Sequence, residues 1–440
     1  MARNIDYSKG IYHAREQLGW PRTIVLGFQH MFAMFGATVL VPILTGLSIS
    51  VTLLCAGAGT LLFHFVTGRK VPAFLGSSFA FLGGFGVVCG GMAGEPGFDP
   101  SRLPYACGGI VIAGLIYLVL SGCITAFGIK RVMRLFPPVV TGPIIILIGL
   151  ILAPSAIGNV QQCWWLGVIT MAIIIGCAVF GKGMIGIIPI LLGVVGGYAI
   201  GAITGQVNFS MPEQIVAIPN FTLAKFEVGA ILTMAPIALA TMMEHIGDIS
   251  AIGATCHRNF LANPGLHRTL IGDGVATSLA GLVGGPANTT YGENTGVLAL
   301  SKVYDPFVIE IAALIAIILS FIPFFENIIG AMPAAVIGGA SFILYGMISA
   351  IGVRNMVENH VDLTKQRNLM ISAIILVSGL GINSIGGLQL GPYVNLSGLA
   401  CAAIFGIVLN AALPGKDYES PWRKWRRAPP RKCVNQVHDK

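Results

Sequence analysis

Within residues 286–302, PANTTYGENTGVLALSK, a single carboxylate, Glu293, stands among glycines and small hydroxyl residues with apolar runs on either side. A charge at bilayer depth is costly unless it is paired or lines a polar cavity, so Glu293 is the first candidate for function. Glu244, in APIALATMMEHIGDISAIG, lies midway along another apolar run, and Asp248 follows one helical turn later on the same face. Two such carboxylates repel, which favours a proton on at least one of them and points to a proton-carrying role. His30, in GFQHMFAMFGATVLVP, could orient a carboxylate or a substrate, or simply bond to a neighbouring helix.

Each candidate has a plainer reading. Glu293 could only cap a helix dipole, and Asp248 could be a structural hydrogen-bonding residue at a cavity edge. Phe79, Tyr291 and Tyr345 could wall a flat ligand or merely pack. His245 points about 100° away from Glu244 on a helix and is expected to serve as an interhelical histidine. His64, Asp273 and Glu310 are expected to be helix-end or packing groups. The stretch 176–182, GCAVFGK, resembles the start of a phosphate loop, but Gly183 occupies the Ser/Thr position, so an ordinary turn is expected. The nine cysteines are scattered without CxxC pairs and HExxH is absent, so neither a metal centre, a disulfide framework nor a catalytic constellation is expected.

The elements that position these residues follow from composition. With 55% hydrophobic and 10% charged residues in 440, the chain is a polytopic, all-α membrane protein, far from the roughly 25% charge of soluble domains. Apolar runs long enough to span a bilayer fall near 24–45, 49–66, 73–93, 107–127, 139–157, 164–181 and 185–205. After a polar loop they resume near 229–251, 269–285, 287–301, 307–325, 331–350, 369–388 and 394–413, giving fourteen expected crossings. The first 23 residues are polar and lack a cleavable signal pattern, so the first run is expected to stay as an anchor. With the N-terminus inside, 24 of the 26 Lys and Arg residues fall on the cytoplasmic side and only Arg102 and Lys225 outside, as the positive-inside rule requires. Eight of them lie in the basic tail 414–440 beside Trp422 and Trp425, which reads as an interface-hugging cytoplasmic segment rather than a nucleic-acid arm.

The chain also repeats. Pro72-Ala73 and Pro286-Ala287, His30 and Glu244, and Phe79 and Glu293 are each 214 positions apart. Seven spans per half require the second copy (229–413) to be inverted relative to the first (24–205), the arrangement in which transporters hold substrate between discontinuous helices. Spans three and ten are expected to break, with extended backbone over 77–80 and 288–291 followed by half-helices aimed at a cavity.

GFQHMFAMFGATVLVP, GSSFAF, EHIG and NTTYGENTGVLALSK resemble the nucleobase-ascorbate transporters, also called nucleobase:cation symporters, over about residues 23–413. Glu293-Asn294-Thr295-Gly296 matches the opening of the family signature, and Ser301 stands where Thr is usual. The resemblance implies a core domain of spans 1–4 and 8–11, a gate domain of spans 5–7 and 12–14, no cofactor, proton-coupled uptake in the bacterial cytoplasmic membrane, and frequent homodimers. It implies that Glu244 and Glu293 hold the base, helped by backbone at Phe79 and Gly292, with His30, Ala37, Tyr291 and Tyr345 lining the pocket. Proton coupling would fall to Glu244, Asp248, Glu293 and His30. Members that favour xanthine or urate commonly carry Gln at the position of Glu293, so the acid here tilts toward uracil over a purine. Some uracil-carrying members have His where Asp248 stands. An inorganic anion exchanger would want a positive centre, and no Lys or Arg lies inside the expected spans.

Overall fold

The computed structural model describes residues 10–415 apart from 133, 187, 208, 210, 213 and 392–394, so the basic tail with Trp422 and Trp425 lies outside the described residues. The elements run α1 (Ala14–Leu18), α2 (Trp20–Thr45), α3 (Ile49–Thr67), β1 (Leu75–Ser77), α4 (Leu82–Cys89), α5 (Leu103–Phe127), α6 (Ile129–Val132), α7 (Pro138–Gln161), α8 (Trp164–Phe180) and α9 (Pro189–Ile203). The chain continues with α10 (Val228–Met234), α11 (Ile237–Thr255), α12 (Leu266–Leu282), β2 (Asn288–Thr290), α13 (Gly292–Ser301) and α14 (Pro306–Ser320). It ends with α15 (Pro323–Gly330), α16 (Ala334–Glu358), α17 (Gln366–Ser384), the short pair β3 (Leu388–Gln389) and β4 (Asn395–Leu396), and α18 (Gly398–Ala412). Among the described residues, seven helices are long and apolar enough to cross a membrane, or eight if the bent pair α14 and α15 counts as one span.

Several boundaries differ from those expected, most of all at 307–325 and at the end of α16. The run 307–325 is not one helix: α14 stops at Ser320 and α15 turns away by 83°. Pro323 is the cause, because it drives the preceding Ile322 into extended backbone (φ −109°, ψ 96°). At the other end, α16 runs on to Glu358, past the expected end at 350, and carries the exposed Arg354 with it.

The break in the third apolar run also sits earlier than expected. Extended backbone covers Leu75–Ser77 rather than 77–80, while the second copy covers Asn288–Thr290. The two strands pair antiparallel, with Leu75 opposite Thr290, Gly76 opposite Thr289 and Ser77 opposite Asn288. Non-helical backbone away from water must find all its partners in protein. Here Thr60 Oγ1 on α3 accepts from Leu75 N (2.9 Å) and donates to Leu75 O (3.2 Å), and Thr277 Oγ1 on α12 donates to Asn288 O (2.9 Å). Asn288 Nδ2 then donates to Cys55 O (3.1 Å), tying β2 back to α3. Small polar residues in apolar helices are thus the fasteners of a two-stranded bridge at the centre of the molecule.

Helix packing falls into two groups. In the first, α5 lies against α12 and α10, α12 against α3, and α14 against α3 and α2, around the strand pair. In the second, α16 packs along α7 and α8, α17 joins α7 to α18, and α8 pairs with α9. Contact between the groups is thinner, made by α11 on α7 and α18 and by α2 on α9.

Candidate functional site

A cavity of about 680 Å³ opens between the two groups. That is within the roughly 300–1,000 Å³ typical of small-molecule sites. The first group lines it with Glu244 and Asp248 of α11, Thr289 and Thr290 of β2, Tyr291, and Gly292 and Glu293 of α13, and Phe79 follows β1 into it. The second group contributes Thr141 and Ile145 of α7 and Ile348, Ile351, Arg354 and Asn355 of α16. The cavity runs on to Arg258, Asn259 and His360 in the connecting segments.

The two breaks create the polar wall. Strand β2 delivers the chain to Tyr291, whose extended backbone (φ −103°, ψ 120°) starts α13 without a side-chain cap, so the first-turn N–H groups beside Glu293 have no carbonyl partner within the helix. Tyr291 is itself held by β1: its hydroxyl donates to Ser77 O at 2.8 Å, and its ring lies over Gly76, where any Cβ would collide with it. On α11, Glu244 Oε2 is buried with no hydrogen-bond partner, and so are Thr289 Oγ1 and Thr295 Oγ1. A buried carboxylate oxygen without a donor is expensive.

Of the residues singled out in the sequence, Phe79, Glu244, Asp248, Tyr291, Gly292 and Glu293 meet around this cavity. His30, Ala37 and Tyr345 do not line it and are buried behind it. Asn294 Nδ2, one residue past Glu293, donates to His30 O (3.1 Å) and lies 3.2 Å from His30 Nδ1, so the histidine ties α13 to α2. Tyr345 meets Phe79 edge-on, with ring centroids 6.0 Å apart at 74°. His30 and Tyr345 thus contact residues next to the cavity or lining it without lining it themselves.

Asp273, expected to be a helix-end or packing group, and His245, expected to be an interhelical histidine, meet behind the cavity wall. Asp273 Oδ2 of α12 lies 2.9 Å from His245 Nδ1 of α11, both fully buried. Thr290 Oγ1 of β2 donates to Asp248 Oδ2 (3.1 Å) and sits 3.4 Å from His245 Nδ1. Asp248, Thr290, His245 and Asp273 therefore form one polar series from the cavity wall into the protein. Thr290→Val, of nearly the same shape, is expected to slow transport several-fold with unchanged protein in the membrane, because it leaves a buried acceptor on Asp248 unmet; uptake normalised to immunoblot checks this. The other two groups set aside pair with each other instead: Glu310 lies 3.4 Å from His64 Nδ1 and 2.9 Å from Arg69 Nε, while His64 Nε2 lies 2.9 Å from Ala73 O, bracing the entry to β1.

Among the described residues no cluster of three or more His, Cys, Asp or Glu side chains could hold a metal ion. Eight cysteines are described, all free, five of them buried.

Comparison with known proteins now bears on this arrangement. A family model described as a permease family matches residues 21–386. The uracil permease of Bacillus subtilis strain 168 is 40% identical over 413 residues, covering 89% of this chain and 92% of that one. The putative pyrimidine permease RutG of Escherichia coli strain K12 is 40% identical over 433 residues, covering 95% and 96%. Among solved structures, the transmembrane domain of the cyanobacterium bicarbonate transporter BicA aligns with a TM-score of 0.60 at 16% identity, covering 86% of this chain and 99% of that one. SLC26A9 aligns at 0.66 with 12% identity, covering 91% and 66%. The structural likeness establishes a shared transporter fold, and the sequence matches establish descent: this multi-pass membrane chain belongs to the permease family of nucleobase-ascorbate transporters, a family of carriers and not of enzymes.

Proposed function

We propose that this chain carries uracil, or a closely related pyrimidine base, together with protons into the cell across the bacterial cytoplasmic membrane. The observation that carries the reading is a cavity between the two helix groups, walled by Glu244 and Glu293, with an oxygen of Glu244 lacking any protein donor. Uracil presents two N–H donors and two carbonyl acceptors on a flat ring, so it needs carboxylates opposite the first and backbone N–H groups opposite the second. Glu244 and Glu293 supply the acceptors, and the uncapped start of α13 supplies donors. The names of the relatives that match nearly the whole chain, uracil and pyrimidine permeases, support the same class of substrate.

Transport follows by alternating access, with the group built on α2, α3, α5, α12 and α14 as core and the group built on α7, α8, α9, α16, α17 and α18 as gate. The segregation of helix packing into these groups, with the cavity at their boundary, supports that division. Fourteen spans in two inverted halves are supported by the strand register. Shifting the pair Leu75–Thr290 by 214 in opposite directions gives Thr289–Gly76, itself a pair, and the same shift of Ser77–Asn288 gives Tyr291 and Phe74, whose N and O bond at 3.0 Å. With both termini inside, the cavity reaches the cytoplasmic connections at Arg258 and His360, an inward-facing state.

Asp248, beside Gly292 and bonded to Thr290, is assigned to proton handling with Glu244 and Glu293. Asp248→Asn is therefore expected to cut accumulation against a gradient more than it weakens equilibrium binding; equal loss of both would make the residue structural. In cells lacking their own uracil carriers, the chain should confer uptake of labelled uracil that unlabelled xanthine and urate do not compete away. Competition by xanthine would instead mark a purine carrier of the same fold, and absence of uptake would end the reading.

A further inference from the structure

The acid-bearing helices α11 and α13 are connected at their far ends by a segment that no part of the transport reading uses. Gly10 to Leu18 runs beneath them. Ile11 N donates to Lys302 O (2.8 Å) and Ile11 O accepts from Tyr304 N (2.7 Å), a parallel bridge laid along the exit of α13. Ala14 N donates to Asp305 Oδ2 (2.6 Å) while Oδ1 of the same carboxylate accepts from Phe307 N (3.0 Å), so Asp305 joins this segment to the first turn of α14. Ile11, Ala14, Val303 and Val308 close into a small buried apolar cluster.

Tyr12 makes the connection to α11. Its hydroxyl donates to the carbonyl of Cys256 (2.9 Å), the residue that ends α11, while its ring lies 5.4 Å from the ring of Tyr304 just past α13. The guanidinium carbon of Arg258 lies over the Tyr12 ring, 4.1 Å from its centre. Gly10, at φ +74°, fits flat under Tyr304, where a Cβ would come within 2.5 Å of the ring.

We infer that residues 10–18 are a strap that sets the spacing of α11 against α13, and that Tyr12 is a positioning residue for the pair Glu244 and Glu293. The physical reason is the shortness of α13. Its ten residues make a rod of about 15 Å, too short to hold its direction by its own hydrogen bonds. Its N-terminal end is fixed through β2 by the strand pair, and its C-terminal end is fixed by the strap. Releasing the second anchor lets the helix pivot about the first, and Glu293 sits at the pivot, where a small rotation changes the aim of its carboxylate.

The inference rests on the reading of Glu244 and Glu293 as the substrate ligands, and its test keeps the two apart. Wild type, Tyr12→Phe and Tyr12→Ala of the full chain, purified in detergent, are compared well below Tm by amide hydrogen exchange of residues 292–301 without substrate, and by uracil Kd. Tyr12→Ala should raise exchange across 292–301 and weaken uracil binding about tenfold, and Tyr12→Phe, which keeps the rings and loses one hydrogen bond, about threefold. Unchanged exchange in both variants overturns the strap, as does raised exchange with unchanged Kd, and a lowered Tm alone is only a structural role and also overturns it. If wild type binds no uracil, the substrate reading falls while the exchange measurement still decides the strap.

Discussion

Glu293→Gln is expected to abolish uracil uptake while leaving the chain folded in the membrane. The side chain keeps its length and volume, so the packing at the start of α13 survives, and only the carboxylate facing the cavity is lost. A hydrogen bond to a charged acceptor is worth about 1.5–3 kcal/mol net. At 1.4 kcal/mol per tenfold, the loss is about ten- to a hundredfold in affinity before the wrongly placed amide N–H is counted against the base. In the proposed proton-coupled mechanism the variant also loses a titrating group, since glutamine carries no ionisable proton. Uptake and equilibrium binding on membranes with matched protein amounts check this, with thermal unfolding as the control for folding. Near-normal transport by the variant would remove Glu293 from the site.

Breaking the buried pair of α11 and α12 should instead damage the fold itself. Asp273→Leu leaves His245, fully buried, with nothing opposite Nδ1 but the hydroxyl of Thr290 3.4 Å away. Leaving one member of a buried polar pair without its partner costs about 1–3 kcal/mol. Replacing both residues by leucine should recover part of the loss, because a matched apolar pair leaves no orphaned polar group. Thermal unfolding in detergent of the two single variants and the double variant measures it. A single variant as stable as wild type, or a double variant no better than the sum, would contradict the pairing.

Three of the cavity's acids were legible in the sequence because a carboxylate in an apolar run has few innocent explanations; Glu244, Asp248 and Glu293 all line the cavity. Asp273 obeys the same rule, standing alone in LHRTLIGDGVATSLAGL, and was passed over only because no glycine-rich break flags it. Thr290 was hidden for a different reason. Its value depends on which face of a three-residue strand it occupies, and that is set by register with Leu75 across the molecule. The same long-range pairing moved the first break from 77–80 to Leu75–Ser77: Phe79 favours extended backbone locally, but the strand register with β2 ends at Ser77 opposite Asn288. His30, Ala37 and Tyr345 are buried and do not line the cavity: depth along a helix is readable in the sequence, but a neighbour standing between it and the cavity is not. The turn into α15 was written plainly in Pro323, within a run whose hydropathy masked it.

The bicarbonate transporter domain shares this fold at 16% identity, so the architecture alone does not choose a substrate. In the function proposed above the choice lies with Glu244 and Glu293, placed on the cavity wall to accept from a ring N–H. Radiolabelled uracil uptake into proteoliposomes holding the purified chain, with and without an imposed proton gradient, tests this most directly. Uracil should accumulate inside above the external concentration when the gradient is directed inward, and should fall back to equality when a protonophore collapses it. Equal, non-concentrative filling with and without the gradient, or no filling at all, would contradict a proton-driven uracil carrier.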